Sequence, residues 1–218
     1  IDNQAFDTQE YWEDTVPDVD NMIGLYTFDE ASGNIINESD STGTLLPDLT
    51  TSDSRTYGET GIVGDSVGMV SSDGSPFRMT SGFDWNTNDW SVSVWCKLDV
   101  QSSYKGCIGN RFDSSQGSSV NGWWTLGAGG NQWQLESGAN GNTHNFVSIG
   151  NAEGSGFEHF VITYDATAQT WKIYHDGVQN GADIDTTSYH IGDTGNRIEI
   201  GSWMGTNWGN WEGNVDSL

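Results

Sequence analysis

Basic residues are scarce in this chain: seven Lys and Arg stand against 31 Asp and Glu, for a formal charge of −24. Such a surface repels phosphate backbones and anionic headgroups, which excludes nucleic acid as a partner and disfavours an acidic membrane face. Proline occurs three times and cysteine twice. No apolar run reaches the roughly 18 residues of a membrane helix, so no membrane insertion is expected. There is no His-Glu-x-x-His pair and no phosphate-cradling glycine loop. The four His residues (144, 159, 175 and 190) show no metal-ligand spacing. The excess of acid has two readings: solubility, or local clusters that hold a cation such as Ca²⁺ through carboxylate and carbonyl oxygens.

What is abundant is glycine, 29 residues, amid frequent Ser, Thr, Asn and Asp. That composition suits many short strands joined by turns. The clearest stretch runs from Gly156 to Gly201. Within it Phe160–Tyr164, Trp171–His175 and Arg197–Ile200 alternate large apolar side chains with smaller or polar ones. Period-two runs of aromatic and β-branched residues read as antiparallel strands. Asp176-Gly177 tolerates the positive φ of a tight turn. At 218 residues the chain suits one large β-sandwich. Its core is expected to absorb about half of the eleven Trp, leaving the others in loops.

Further strands are predicted at Met22–Phe28, Gly61–Val70, Phe77–Phe83 and Trp90–Leu98. In the last of these Val92, Val94, Cys96 and Leu98 share one face, and Gly106–Phe112 is expected to pair with it. Trp123–Leu126 and Gln132–Leu135 form a hairpin about a Gly-rich turn, and Phe146–Ile149 is a short strand. Cys96 and Cys107 fit either a cross-strand disulfide or two buried thiols; an extracellular setting favours the disulfide. Residues 1–20 carry seven acidic residues and no basic one, with Phe6, Tyr11 and Trp12 among them. They are expected to be a linker or a docking arm ahead of a single domain over 21–218. Beginning at Ile1 without Met or a visible signal peptide, the chain is expected to be a processed form or a fragment.

The order of these pieces resembles the laminin-G-like, concanavalin-A-like jelly-roll family. The matching residues are GLYTFDEASGN (24–34), GIVGDSV (61–67), WSVSVWCKL (90–98), HFVITYDATAQTWKIYHDGV (159–178), IEIGS (198–202) and WEGNVD (211–216). The resemblance implies an all-β antiparallel sandwich of jelly-roll type. It implies core positions for Tyr26, Phe28, Trp95, Trp124, Phe160, Ile162, Tyr164 and Trp211, and a satisfied core histidine at His159. It also implies a structural Ca²⁺ held by Asp29, Asn34 and Asp216 with nearby carbonyls. Family members continue past Gly-x-Val-Asp with a final strand. Stopping at Leu218 therefore suggests an open sheet edge, which the N-terminal arm of a neighbouring copy could fill.

Relatives of this fold include glycoside hydrolases that use Glu-x-Asp-x-x-Glu on one strand, because cleavage needs paired carboxylates. No such run exists here, the acidic residues are read as lying singly in turns, and no enzymatic activity is expected. Glycan binding leads instead. Rings stack on the apolar faces of sugars while amides and guanidinium groups fix the hydroxyls. Trp203, Asn207 and Trp208, with Trp123 and Arg111, have that chemistry, although Trp123 and Trp208 could equally be structural. The alternative is a structural subunit of a homo-oligomer, fibre or virion, assembled through arm and edge. Both readings place the protein outside the cell.

Overall fold

A computed structural model of the chain describes residues 24–35, 48–51, 55–70, 76–80, 84–85, 87–100, 104–110, 123–139, 142–150, 152–154, 156–187, 197–202 and 210–217. The described residues hold fourteen strands and no helix, hence no helix long and apolar enough to cross a membrane. The strands begin with β1 (Thr56–Thr60), β2 (Asp65–Met69), β3 (Phe77–Thr80), β4 (Trp90–Leu98) and β5 (Lys105–Gly109). Next come β6 (Trp123–Gly129), β7 (Gln132–Ala139), β8 (Asn142–Gly150), β9 (Phe157–Asp165) and β10 (Thr170–His175). The last four are short: β11 (Val178–Gln179), β12 (Ile184–Asp185), β13 (Arg197–Ile200) and β14 (Gly213–Asp216).

Alternation sorts these strands into two antiparallel sheets, each with one face that must leave water. The larger sheet has the order β1-β2-β14-β4-β9-β10-β11, with β12 also on β10; the smaller has the order β3-β13-β5-β6-β7-β8. The expected all-β sandwich is present. β9 and β10 form a hairpin from Asp165↔Thr170 to Phe160↔His175. Asp176 (φ 47°) and Gly177 (φ 79°) then make the tight turn into β11.

Large rings join the two layers. Trp90 of β4 stacks on Trp124 of β6 with centroids 5.3 Å apart, and Phe160 of β9 meets Trp133 of β7 at 4.7 Å. Among the described residues six Trp are buried: Trp85, Trp90, Trp124, Trp133, Trp171 and Trp211. Each large apolar side chain removed from water contributes about 1.5–3 kcal/mol before chain entropy is subtracted, so this aromatic layer carries much of the stability.

Several expectations are corrected. β5 does not pair with β4: it crosses to the smaller sheet, between β13 and β6, whereas β4 lies between β14 and β9. Cys96 and Cys107 are joined in a disulfide, so the bridge ties the two sheets together rather than neighbours within one. A register shift between Gly106 and Ile108 lets both Cys107 and Ile108 reach the core.

Trp95 and His159 are not core residues. With Val94 and Cys96 buried, strand parity turns Trp95 to the outer face, where it pairs across the ladder with His159. Their half-buried rings stack at 4.7 Å. The other proposed core positions, Tyr26, Phe28, Trp124, Phe160, Ile162, Tyr164 and Trp211, are buried. Gly24–Phe28, the described part of the first predicted strand, is irregular. Its Tyr26 hydroxyl donates to Met79 Sδ at 3.2 Å.

β14 is an inner strand, bonded to β2 on one side and β4 on the other. Among the described strands the outer edges belong to β1, β11, β3 and β8, so the last strand is not an edge. Nor are the acids confined to turns: Glu59, Glu136, Glu158 and Glu199 sit in β1, β7, β9 and β13. The proposed arm, residues 1–20, lies outside the described residues.

Candidate functional site

On the smaller sheet, side chains at Phe77, Met79, Ile198, Ile200, Leu126 and Leu135 are buried in the core. The residues between them face outward. Register aligns those outward positions into one row across the sheet: Arg78↔Glu199, Glu199↔Gly109, Gly109↔Thr125 and Thr125↔Glu136. Arg78 Nε donates to Glu199 Oε1 at 2.7 Å. Glycine is required at the centre of the row, because a Cβ at Gly109 would sit 2.4 Å from Trp124 O and 2.8 Å from Thr125 Oγ1.

Three members of the row are closed off from bulk water although they lie on the outer face: Thr125 is 1%, Glu136 3% and Glu199 1% exposed. Thr125 Oγ1 has no hydrogen-bond partner among the described residues. A buried hydroxyl left unmatched costs about 1–3 kcal/mol, so Thr125 is a costly residue to keep at this position. This row was illegible in the sequence because its members come from five strands up to 121 positions apart. The available signal was one polar residue between two apolar ones in three of the strands, Phe77-Arg78-Met79, Trp124-Thr125-Leu126 and Ile198-Glu199-Ile200.

The proposed metal ligands divide. Asp29 and Asp216 both reach the 61–65 loop. Asp29 Oδ1 accepts from Asp65 N at 2.6 Å, and Asp216 Oδ2 accepts from Ile62 N at 2.5 Å and Val63 N at 3.1 Å. Phe28 (φ 62°) adopts the left-handed backbone that precedes Asp29, a costly conformation for an aromatic residue. Burial lifts the Asp216 carboxyl above the ordinary carboxylate range; the Val63 and Ile62 amides and Ser217 hydroxyl oppose this, and the Asp29 charge adds to it. Asn34 is exposed in the adjacent loop, whose Gly33 carbonyl accepts from Tyr57 Oη. Among the described residues no three side chains of His, Cys, Asp or Glu converge as a metal cluster. A cation here would rest on two carboxylates and main-chain oxygens, a donor set that suits Ca²⁺.

Catalytic arrangements fare poorly. Gly64-Asp65-Ser66-Val67-Gly68 has the Gly-x-Ser-x-Gly spacing of a nucleophile elbow, but it enters a strand, not a strand-to-helix turn. Ser66 is buried, and its hydroxyl is taken up by Glu59 O, Thr60 O and Asn214 Nδ2. Ser93 Oγ lies 2.8 Å from His159 Nε2, and burial lowers the His159 pKa against the pull of Asp176. That pair stands on an outer sheet face, where ladder amides are spent on neighbouring strands and cannot form an oxyanion hole. The backbones at Glu136 and Glu199 are three strand spacings apart, about 14 Å, and the Glu199 carboxylate is bonded to Arg78 on the neighbouring strand away from Glu136.

Of the residues read as sugar contacts, Arg111, Trp203, Asn207 and Trp208 lie outside the described residues. Trp123 opens β6, two positions before Thr125. Asn110 Oδ1 accepts from Trp124 N at 2.6 Å, so the connection that carries Arg111 starts beside Trp123. The connection carrying Trp203 and Trp208 is anchored at the opposite end of the sheet. There Gly201 N donates to Cys107 O at 2.7 Å and Trp211 N to Gly201 O at 2.9 Å.

A family model described as the concanavalin A-like lectin/glucanases superfamily matches residues 71–218, and the chain belongs to that superfamily. Comparison with curated proteins finds no match. Among solved structures, the chain is similar to domain 4 of AbnA, an extracellular GH43 arabinanase from Geobacillus stearothermophilus, in complex with arabinotriose. That likeness has a TM-score of 0.63 at 20% identity and covers 89% of each chain. It is also similar to the CBM40 of the Ruminococcus gnavus IT-sialidase bound to α2,3 sialyllactose (TM-score 0.51, 10% identity, 70% of this chain and 86% of that one). A Trypanosoma rangeli sialidase matches at TM-score 0.57 and 9% identity over 89% of this chain and 29% of its own. At these identities the likenesses establish the fold alone.

Proposed function

We propose that this superfamily member is a non-catalytic, extracellular glycan-binding module whose ligand lies on the outer face of the smaller sheet. The observation that carries the reading is the polar row itself, in which Arg78 and the Thr125 hydroxyl stand with Glu199 and Glu136 on an outer sheet face. Sugar hydroxyls both donate and accept, so they match a row that presents a hydroxyl and carboxylate oxygens. The similar solved structures that carry arabinotriose and sialyllactose support the reading. The tie of the Glu199 carboxylate to Arg78, away from Glu136, speaks against a paired-carboxylate hydrolase.

Arg111 and Trp123, at the Asn110 end of the sheet, are the contacts most compatible with this face. Trp203, Asn207 and Trp208 remain candidate contacts on the connection that follows β13. Asp29 and Asp216, with main-chain oxygens of the 61–65 loop, would hold a structural Ca²⁺ that keeps this loop in place; Asn34 remains a candidate ligand. The disulfide supports an extracellular setting. Assembly through an open edge finds no specific support, since β14 is an inner strand.

A glycan array followed by isothermal titration calorimetry, beginning with arabinotriose, tests the reading. Saturable binding that is lost in Glu136→Gln but retained in Ser93→Ala, on the opposite sheet, is the expected result. Release of reducing sugar from any bound glycan would overturn the non-catalytic assignment.

A further inference from the structure

We infer that Tyr104 is the stacking platform of the glycan site, and that the ligand is an oligosaccharide reaching from this ring toward the polar row. The inference rests on the glycan-binding reading and adds a contact residue and the size class of the sugar. Tyr104, just ahead of β5, is 52% exposed, yet its ring is held in place against Gly129 of β6. A Cβ at Gly129 would sit 2.6 Å from both Cδ1 and Cε1 of the ring, and 2.9 Å from Gln134 Oε1. The left-handed backbone of the adjoining turn falls to Gly130 (φ 59°) and Asn131 (φ 60°), and Gly129 does not share it. Its missing side chain therefore serves the ring and not the turn. Glycine within a strand marks a close approach by another group, and here that group is Tyr104.

Strand parity puts the ring on the face that carries the polar row. Trp124, Leu126 and Ala128 of β6 are buried in the core, so Thr125, Gly127 and Gly129 lie on the outer side. Gln134, between the buried Trp133 and Leu135 of β7, shares that side, and its Nε2 donates to Gly129 O at 3.2 Å. A ring held in contact with water, with an amide beside it, offers an apolar plane for the C–H face of a sugar and a polar group for its hydroxyls. Tyrosine supplies that area at little cost in side-chain freedom. Gly129 and Thr125 both belong to β6, about 13 Å apart along the strand. That is longer than one sugar ring, so a ligand that meets both the ring and the row is a chain of sugars.

The test screens the full chain on an array of arabinan, xylan, glucan and galactan fragments in matched length series, each from the monosaccharide upward. The best binder is then titrated against wild type, Tyr104→Phe and Tyr104→Ala, with unfolding midpoints measured to establish that each variant folds. Tyr104→Ala is expected to weaken binding at least about tenfold. Tyr104→Phe, which keeps the ring face, should stay within about threefold of wild type. In proton NMR the ring current should shift C–H signals of one sugar residue upfield, and that shift should vanish in Tyr104→Ala. The monosaccharide should bind at least about tenfold more weakly than the longer members of its series. Undiminished binding by Tyr104→Ala, or equal losses in both variants, would overturn the stacking role while leaving glycan binding intact. A monosaccharide that binds as tightly as its oligomers would overturn the oligosaccharide class. No binder on the array would overturn the glycan-binding reading, and the inference with it.

Discussion

Cys96 of β4 and Cys107 of β5 are bonded across the sandwich, with Cα atoms 6.8 Å apart and only eleven positions between them in the chain. The bridge pins the β4-to-β5 crossover between the sheets. Closing a loop of this size stabilises by about 2–4 kcal/mol through the unfolded state. The Cys96→Ala, Cys107→Ala double variant is therefore expected to lose stability of that order in urea unfolding, with the fold retained by circular dichroism. Thiol titration of the native, non-reduced chain should find no free sulfhydryl.

Thr125→Val separates binding from stability. Removing a buried hydroxyl that has no described partner should leave unfolding stability unchanged or raise it by up to about 1 kcal/mol. Glycan affinity should fall at the same time. A loss of stability with affinity intact would show that the hydroxyl is matched within the protein and is not a sugar contact.

The Asp216 carboxyl gives a pH dependence of definite sign. Its folded pKa is raised, chiefly by burial, so the folded state takes up the proton before the unfolded state does. The favourable contribution is present in full below the ordinary carboxylate range and is lost as pH rises through the elevated value. Asp216→Asn keeps an oxygen for the Ile62 and Val63 amides but carries no charge. In the presence of chelator its stability relative to wild type should grow as pH rises from about 4, then level off. Adding Ca²⁺ should raise the melting temperature of wild type and not that of the variant, if Asp216 is a ligand.

Two glycines give a paired comparison. A Cβ at Gly213 would lie 2.0 Å from Lys97 O, on a backbone of φ +155°, so β14 can approach β4 there only without a side chain. Gly213→Ala should cost at least about 2 kcal/mol. Gly177→Ala, in open space at φ +79°, should cost only about 1 kcal/mol. Urea midpoints of the two variants measure the difference.

Most of the strands were legible because each is one local signal, whereas β1 was not read and Gly24–Phe28, read as strand, is irregular. Trp90–Leu98 is bounded as the alternation predicts, and Asp176-Gly177 takes the positive φ values that its residue types allow. Which faces are buried was legible only in part. Alternation around Trp95 and His159 marks two faces per strand but does not say which meets the other sheet, and here both rings fell on the outer one.

Residue type and period thus determined, from the sequence alone, an acidic all-β sandwich with a tryptophan-rich core and short turns. Local backbone preference and the two-residue period of a strand act within a few positions, so they are written where they operate. Only the tertiary structure decided that β5 leaves β4 for the opposite sheet, that the disulfide spans both layers, that β14 is an inner strand, and that Arg78, Glu199, Thr125 and Glu136 stand in one row. Those facts depend on strand order and register between segments far apart in the chain. They are set by which pairing buries the most apolar surface with every ladder satisfied, a balance struck over the whole sandwich and not within any one stretch.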